Sequence, residues 1–301
     1  MNYCLICQEE NKEKSIAHLR CIKKLFGVNY YPKVNLSLSE VSIKGQEMAG
    51  RLSLSGVQAK LSVKLNRKTR QLEVVSIGGE YILKPQINQW PNLPENESLS
   101  MAIASNLGIE TPLFSLIKLK DESWAYLVKR FDRDKSLKKH QEDFCQILEK
   151  ENKYEGSYEQ IAGKLKEVSA FPGLDLQLFF ERVLFFFLIG NGDAHLKNFS
   201  LIYDDKQNIR LSPAYDIVSS KLVIPGEDEL AIPLNGKKNN LKRRDFDLFA
   251  ERFSIKADVC YKNILKKDIF DKFIKSSKLP DEQNQKLSAI LEERLKVLKN
   301  I

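Results

Sequence analysis

The stretch VLFFFLIGNGDAHLKN, Val183–Asn198, decides the fold. Seven apolar residues, Val183 to Ile189, follow Glu181-Arg182 and lead directly into a charged, glycine-bearing loop. An apolar run that short falls well below the roughly 20 residues needed to cross a bilayer. It reads instead as the end of a buried core helix, Leu174 to Ile189. Towards the C-terminus Leu287, Ile290, Leu291, Leu295 and Leu298 recur at helical spacing among charges. The C-terminal half is therefore expected to be mainly helical.

Outward from that loop, the N-terminal half changes period. Lys60 to Leu65 alternates polar and apolar, Arg67 to Arg70 supplies a turn, Leu72 to Ile77 reads as a second strand, and Tyr81 to Leu83 as a third after Gly78-Gly79. Two more strands fall around Phe114 to Leu119 and Trp124 to Val128. Between the two sets, Pro94-Glu95-Asn96-Glu97 opens a helix with proline and acids in its first turn, and Gly108 closes it. Leu36 to Gly50 reads as a polar connector. The fold class is α+β with two lobes, a β-rich N-lobe over residues 1–131 and a mainly helical C-lobe over 132–301.

The loop carries the chemistry. Asp193 and Asn198 are five apart, the spacing at which a protein-kinase catalytic loop sets an aspartate against the acceptor hydroxyl and an asparagine on a metal. Eighteen residues beyond Asn198, after a short strand Ile209 to Leu211, comes Asp216. ATP's triphosphate repels an incoming oxygen nucleophile, and Mg2+ with oxygen ligands offsets that charge; Asn198 and Asp216 suit it. Asp193 would orient the hydroxyl and accept its proton late.

Lys84 ends the strand Tyr81–Lys84, where kinases place a phosphate-holding lysine. Glu97 in the following helix is its candidate ion-pair partner, with Glu95 the alternative. Upstream, Leu52 to Lys60 sits where a phosphate loop is expected, with only Gly56 inside it; amides around Ser55, Gly56 and Val57 would cap phosphate oxygens. Phosphate on Ser53 or Ser55 would repel ATP, so autophosphorylation there is a candidate off-switch. Leu127 to Arg133 ends the last N-lobe strand as a hinge, where Phe131 or a neighbour would cover the adenine and backbone groups near Lys129 to Phe131 would bond its edge.

Composition limits the alternatives. The chain has 301 residues, 43% hydrophobic and 29% charged, with a net charge of +8. That charge fits either nucleic-acid binding or a surface built around a polyanion; only Lys237 to Arg244 (KKNNLKRR) is dense. The N-terminus lacks a signal-peptide layout, which places the chain in the cytoplasm with no membrane contact. Five cysteines argue against a disulfide framework. Cys145 and Cys260 read as buried singletons. Cys4, Cys7, His18 and Cys21 form C-x2-C-x10-H-x2-C, which either closes a structural tetrahedral Zn2+ site or supplies small core residues to an N-terminal hairpin.

The blocks Ser55–Lys60, Ile82–Pro85, Lys129–Arg133, His140–Gln146, Gly192–Ser200 and Leu211–Ile217 together resemble the HipA-like kinases. The resemblance implies an ATP- and Mg2+-dependent serine/threonine kinase, the toxin of a toxin–antitoxin module, that phosphorylates an aminoacyl-tRNA synthetase. It also implies ATP contacts from His195 and Lys197 beside the residues above. The compact length and the paired Ser53 and Ser55 resemble the HipT-type subgroup, which implies tryptophanyl-tRNA synthetase as target. Its implied partners are a HipB-like DNA-binding antitoxin and a HipS-like small protein, with DNA reached only through the antitoxin. Asp216 is followed by Ile217-Val218 rather than Phe-Gly, which departs from eukaryotic activation loops. Two rival readings are a small-molecule, aminoglycoside-type kinase on the same fold and a basic zinc-bearing nucleic-acid-binding protein.

Overall fold

The computed structural model describes residues 2–13, 15–48, 58–134, 137–204 and 206–299. It divides into two compact units. One contains Met1–Ala102, Pro112–Ser136 and Phe273–Leu279; the other contains Ile103–Thr111, Leu137–Lys272 and Pro280–Ile301.

The first unit is built on a five-stranded antiparallel sheet. Its strands are β1 (Leu61–Asn66), β2 (Gln71–Val74), β3 (Tyr81–Pro85), β4 (Phe114–Lys118) and β5 (Trp124–Lys129), in the order β2-β1-β3-β5-β4. Alternation decides which face is buried: Leu61, Val63 and Leu65 face the core while Lys64 faces solvent. Two helices precede the sheet, α1 (Leu19–Phe26) and α2 (Leu38–Met48), and α3 (Leu93–Asn106) follows β3. Ile22, Leu25 and Phe26 of α1 join the sheet's core, where Tyr81 donates its hydroxyl to the Leu25 carbonyl at 3.0 Å.

Helix α2 lies where a polar connector is expected, and this corrects the sequence reading. Among its described side chains only Val41 is fully buried, so periodicity gives almost no signal. The helix start is instead written in Ser37-Leu38-Ser39-Glu40, a capping box. Glu40 accepts from the Ser37 amide at 2.7 Å, and Ser37 Oγ accepts from the Glu40 amide at 3.3 Å.

The second unit is organised by α6 (Pro172–Ile189), preceded by α4 (Phe144–Ile147) and α5 (Tyr158–Val168). Phe179, Phe180, Phe185, Phe186 and Phe187 are all buried on α6. Phe180 stacks on Phe249 at 5.8 Å, and Phe179 meets Phe199 edge-on at 5.1 Å. Truncating any of these to alanine would cost about 3–5 kcal/mol. The remaining helices are α7 (Arg243–Arg252), α8 (Ala257–Ile264), α9 (Lys267–Ser276) and α10 (Asp281–Lys299). A small antiparallel sheet also occurs here, with β6 (Gln141–Asp143), β7 (Ser200–Tyr203) and β8 (Ile209–Leu211) in the order β8-β7-β6. Among the described residues no helix is long and apolar enough to cross a membrane.

Candidate active site

Helix α6 ends at Gly190 in the left-handed conformation (φ +71°), and the Asn191 amide returns to the Phe186 carbonyl at 2.9 Å. This cap turns the chain sharply into Asn191-Gly192-Asp193. Gly192 is then pressed against the segment after Pro225: a Cβ there would lie 2.3 Å from the Asp228 carbonyl oxygen and 2.6 Å from the Glu227 carboxyl. Only glycine lets the backbone approach so closely.

Asp193 is half-buried, and its Oδ1 accepts a 2.6 Å hydrogen bond from the Tyr154 hydroxyl. The Tyr154 ring meets His195 edge-on at 5.3 Å, with Lys153 Nζ 4.8 Å from the Tyr154 centroid. Burial, followed by the charge of Lys153, lowers the His195 pKa to about 4, so the imidazole is neutral at pH 7. Its Nδ1 is buried without a hydrogen-bond partner. Lys197 is exposed.

Asn198 is buried, and its Oδ1 accepts from the His195 amide at 3.0 Å, leaving a second lone pair on that oxygen. Asp216 adopts φ +59°, a strained setting for a non-glycine residue of the kind found at functional sites. The residues before these two are tied together, since Tyr215 Oη donates to the Lys197 carbonyl at 2.9 Å. A short hydrogen bond joins Tyr215 Oη and Ser200 Oγ. Asn198 and Asp216 offer oxygen donors, the type a hard divalent cation takes, so they fit Mg2+.

Strand β8, which leads to Asp216, is clamped from α6. Buried Asp175 accepts from the Leu211 amide at 3.0 Å and pairs with the Arg210 guanidinium at 2.9 Å. Arg182, also buried, donates to the Ser212 carbonyl at 2.5 Å. Burial lowers the Arg182 pKa to about 10.

Sequence reasoning missed Tyr154 and Glu227. Burial, then the nearby Asp193 charge, raises Glu227 to about 7, while a 2.5 Å hydrogen bond from Ser220 Oγ works against that rise. The glycine at position 192 is the trace this neighbour leaves in the sequence, and only the fold shows what it makes room for.

In the first unit, Lys84 Nζ lies 2.6 Å from Glu97 Oε1, with both side chains almost wholly buried. Lys84 Nζ also sits 5.5 Å from the Tyr126 ring centroid. Glu95, the alternative partner, has Oε2 buried without a hydrogen bond, and burial raises its pKa. Ser53, Ser55, Gly56 and Val57 lie outside the described residues. Gln58, which is described, donates to the carbonyl of Pro85, the residue after Lys84, at 2.7 Å. At the end of β5, the Lys129 amide donates to the Leu113 carbonyl at 2.7 Å and the Arg130 amide to the Glu80 carbonyl at 2.9 Å. These bonds engage the Lys129 and Arg130 amides, and Phe131 beyond them is half-buried. Asp132 is gripped by Arg130 at 2.7 Å and Arg133 at 2.6 Å. Burial alone would raise its pKa; the two guanidiniums hold it below the usual range.

The dense basic run is largely paired. Lys237 meets Asp245 at 2.7 Å, Arg244 meets Glu251 at 2.7 Å, and Arg243 lies 3.5 Å from Asp247. Local carboxylates offset the field that would attract a phosphate backbone, which weighs against nucleic acid as the ligand of this run.

An antiparallel sheet with a buried lysine–glutamate pair, and a helical unit presenting an Asp-x4-Asn loop, define a kinase-like α+β fold. The chain belongs to the HipA-like C-terminal domain family, which residues 52–278 match. It is 30% identical over 275 residues to a putative kinase of Haemophilus influenzae, covering 81% of this chain and 79% of that one. It is 35% identical over 212 residues to the putative kinase Y4dM of Sinorhizobium fredii, covering 65% of this chain but only about half (52%) of that protein's length. In fold it is similar to HipA of Shewanella oneidensis, solved with HipB and operator DNA. That match has a TM-score of 0.69 at 18% identity and covers 91% of this chain and 72% of the other.

Proposed function

We propose that this chain is an ATP-dependent protein kinase that transfers the γ-phosphate to a serine or threonine hydroxyl. One observation carries the reading: the Asp193 carboxylate already accepts a hydrogen bond from a side-chain hydroxyl, the phenol of Tyr154, at 2.6 Å. An incoming serine would present its Oγ–H to the same carboxylate. The serine oxygen forms the new bond to the γ-phosphorus, the bond from that phosphorus to the bridging oxygen of the ADP leaving group breaks, and the serine proton passes late to Asp193. Mg2+ held by Asn198 Oδ1 and the Asp216 carboxylate would offset the triphosphate's charge. Lys84, fixed by Glu97, is assigned to the α and β phosphates, and His195, Lys197, Lys129 and Phe131 to further contacts with the nucleotide.

We extend this to a toxin role in the cytoplasm with an aminoacyl-tRNA synthetase as acceptor, and the paired Ser53 and Ser55, which resemble the HipT-type subgroup, narrow it to the tryptophanyl enzyme. A HipB-like antitoxin and a HipS-like small protein are the partners that go with this role. Ser53 and Ser55 are assigned as autophosphorylation sites that shut off nucleotide binding by repulsion. The test is incubation of the purified chain with γ-labelled ATP and a bacterial lysate, followed by identification of the labelled species. Label on a synthetase, lost in Asp193→Gln, supports the reading. Label on a small molecule, or label that survives Asp193→Gln, overturns it.

A further inference from the structure

None of the N-terminal cysteines is among the residues assigned to phosphoryl transfer, and the geometry of their cluster is that of a closed metal shell. The ligand atoms of Cys4, Cys7, His18 and Cys21 all lie within 4.8 Å of one another. His18 Nδ1 is 3.4 Å from Cys7 Sγ and 3.8 Å from Cys21 Sγ. A tetrahedron with Zn–S near 2.3 Å and Zn–N near 2.05 Å has N···S edges of about 3.6 Å, between these two distances.

Two further contacts prepare the ligands. His18 Nε2 lies 3.1 Å from the Glu10 carbonyl oxygen, which can only accept, so Nε2 carries the proton and Nδ1 faces the thiols with a free lone pair. The His18 amide points at Cys4 Sγ at 3.4 Å, a donor that favours a thiolate. A disulfide between two of the cysteines would leave the imidazole and the third thiol converging on nothing.

We propose that Cys4, Cys7, His18 and Cys21 bind one Zn2+ ion that buttresses α3, the helix carrying Glu97. Three thiolates and an imidazole suit Zn2+, and the full shell leaves no open position for catalysis. The buttress follows from what the ligand loop holds. Leu5, between the first two ligands, gives its carbonyl to the Leu116 amide and to Ser115 Oγ, both at 3.0 Å, which fastens the loop to edge strand β4. Gln8, one residue past Cys7 and held at φ +57°, donates a buried 2.7 Å hydrogen bond to Ser98 Oγ. Ser98 adjoins Glu97, whose carboxylate holds Lys84. Loss of the ion would loosen Gln8 and, through it, the first turns of α3.

The test uses the full chain purified without chelator. Elemental analysis should find about one zinc per chain, and Co2+ exchange should give the intense visible bands of a tetrahedral thiolate site. Cys7→Ser should lose the metal and Cys260→Ser should keep it. If Cys7→Ser does not fold, the wild-type zinc content and cobalt spectrum decide the matter alone. Absence of zinc with no tetrahedral cobalt spectrum, or an intact mass two hydrogens short, overturns the site. Hydrogen exchange compared before and after zinc removal should show faster exchange over residues 96–102 while β2 is unchanged; equal protection in α3 overturns the buttress. These readouts do not depend on phosphoryl transfer, so they stand apart from the proposed activity.

Discussion

The Tyr154 hydroxyl and the Asp193 carboxylate, 39 residues apart in the chain, form a 2.6 Å hydrogen bond at the tip of the loop leaving α6. Tyr154 is 40% exposed, so its ring can leave without opening the core. The tyrosine thus occupies an acceptor position that the proposed reaction needs for a substrate hydroxyl. Burial and this same bond raise the Tyr154 pKa, so the phenol stays protonated and remains a donor.

Tyr154→Phe removes the competitor and leaves the ring in place. A hydrogen bond to a charged group is worth about 1.5–3 kcal/mol, and exposure puts this one at or below the lower end. The kcat/KM for the protein acceptor should rise several-fold, to about tenfold at most, with the KM for ATP unchanged. Steady-state kinetics checks this; a fall in kcat would mean that Tyr154 orients Asp193 instead of blocking it.

Glu227 predicts a pH dependence of stability. Burial is the main cause of its rise to about 7, with the Asp193 charge adding to it, against an unfolded value of about 4.3. Between those values the folded chain holds a proton that the unfolded chain has released, so stability present at low pH is lost as pH rises through that window. Glu227→Gln should match wild type near pH 4 and exceed it near pH 8. Denaturant melts at the two pH values check the sign, and parallel curves would remove Glu227 from the account.

Some of this was legible in the sequence because the chemistry is local. Asp193 and Asn198 share one loop and Asp216 follows the short strand β8 behind it, so their spacing is readable along the chain. Lys84 and Glu97 are separated by one strand end and one helix start, again a short-range reading. Tyr154 and Glu227 were hidden because only the fold brings a residue 39 positions upstream, or one beyond Gly226, against the loop. Strand β6 was hidden for a different reason: all three of its residues are half-buried, so no alternation marks it. The first turn of α2 carried a capping box that outweighed its weak apolar face.

The Lys84–Glu97 pair sets up a double-variant test. Breaking a buried ion pair by removing one partner costs about 3–5 kcal/mol, and both side chains here are almost wholly buried. Lys84→Met and Glu97→Leu should each lower stability by that order, and the double variant should recover most of the loss. Activity should stay absent in all three variants containing either change. Guanidinium melts and a phosphotransfer assay separate the two effects; full additivity in the melts would mean the ions do not interact.

Gly192 and Gly163 make opposite predictions for the same substitution. At Gly192 a Cβ would overlap the Asp228 carbonyl oxygen at 2.3 Å and the Glu227 carboxyl at 2.6 Å, so the backbone beside Asp193 must move. Overpacking of this kind costs about 1–3 kcal/mol. At Gly163, inside α5, a Cβ meets nothing within 4 Å and the backbone is already helical. Alanine there should stabilise by up to about 1 kcal/mol, because glycine is the weaker helix former. Gly163→Ala should keep full activity and melt higher. Gly192→Ala should melt lower and lose activity by more than its unfolded fraction explains, because the strain falls on the residue next to Asp193. Measuring both quantities on both variants isolates that local displacement. Activity in Gly192→Ala that merely tracks the folded fraction would show that the loop absorbs the methyl group without moving the carboxylate.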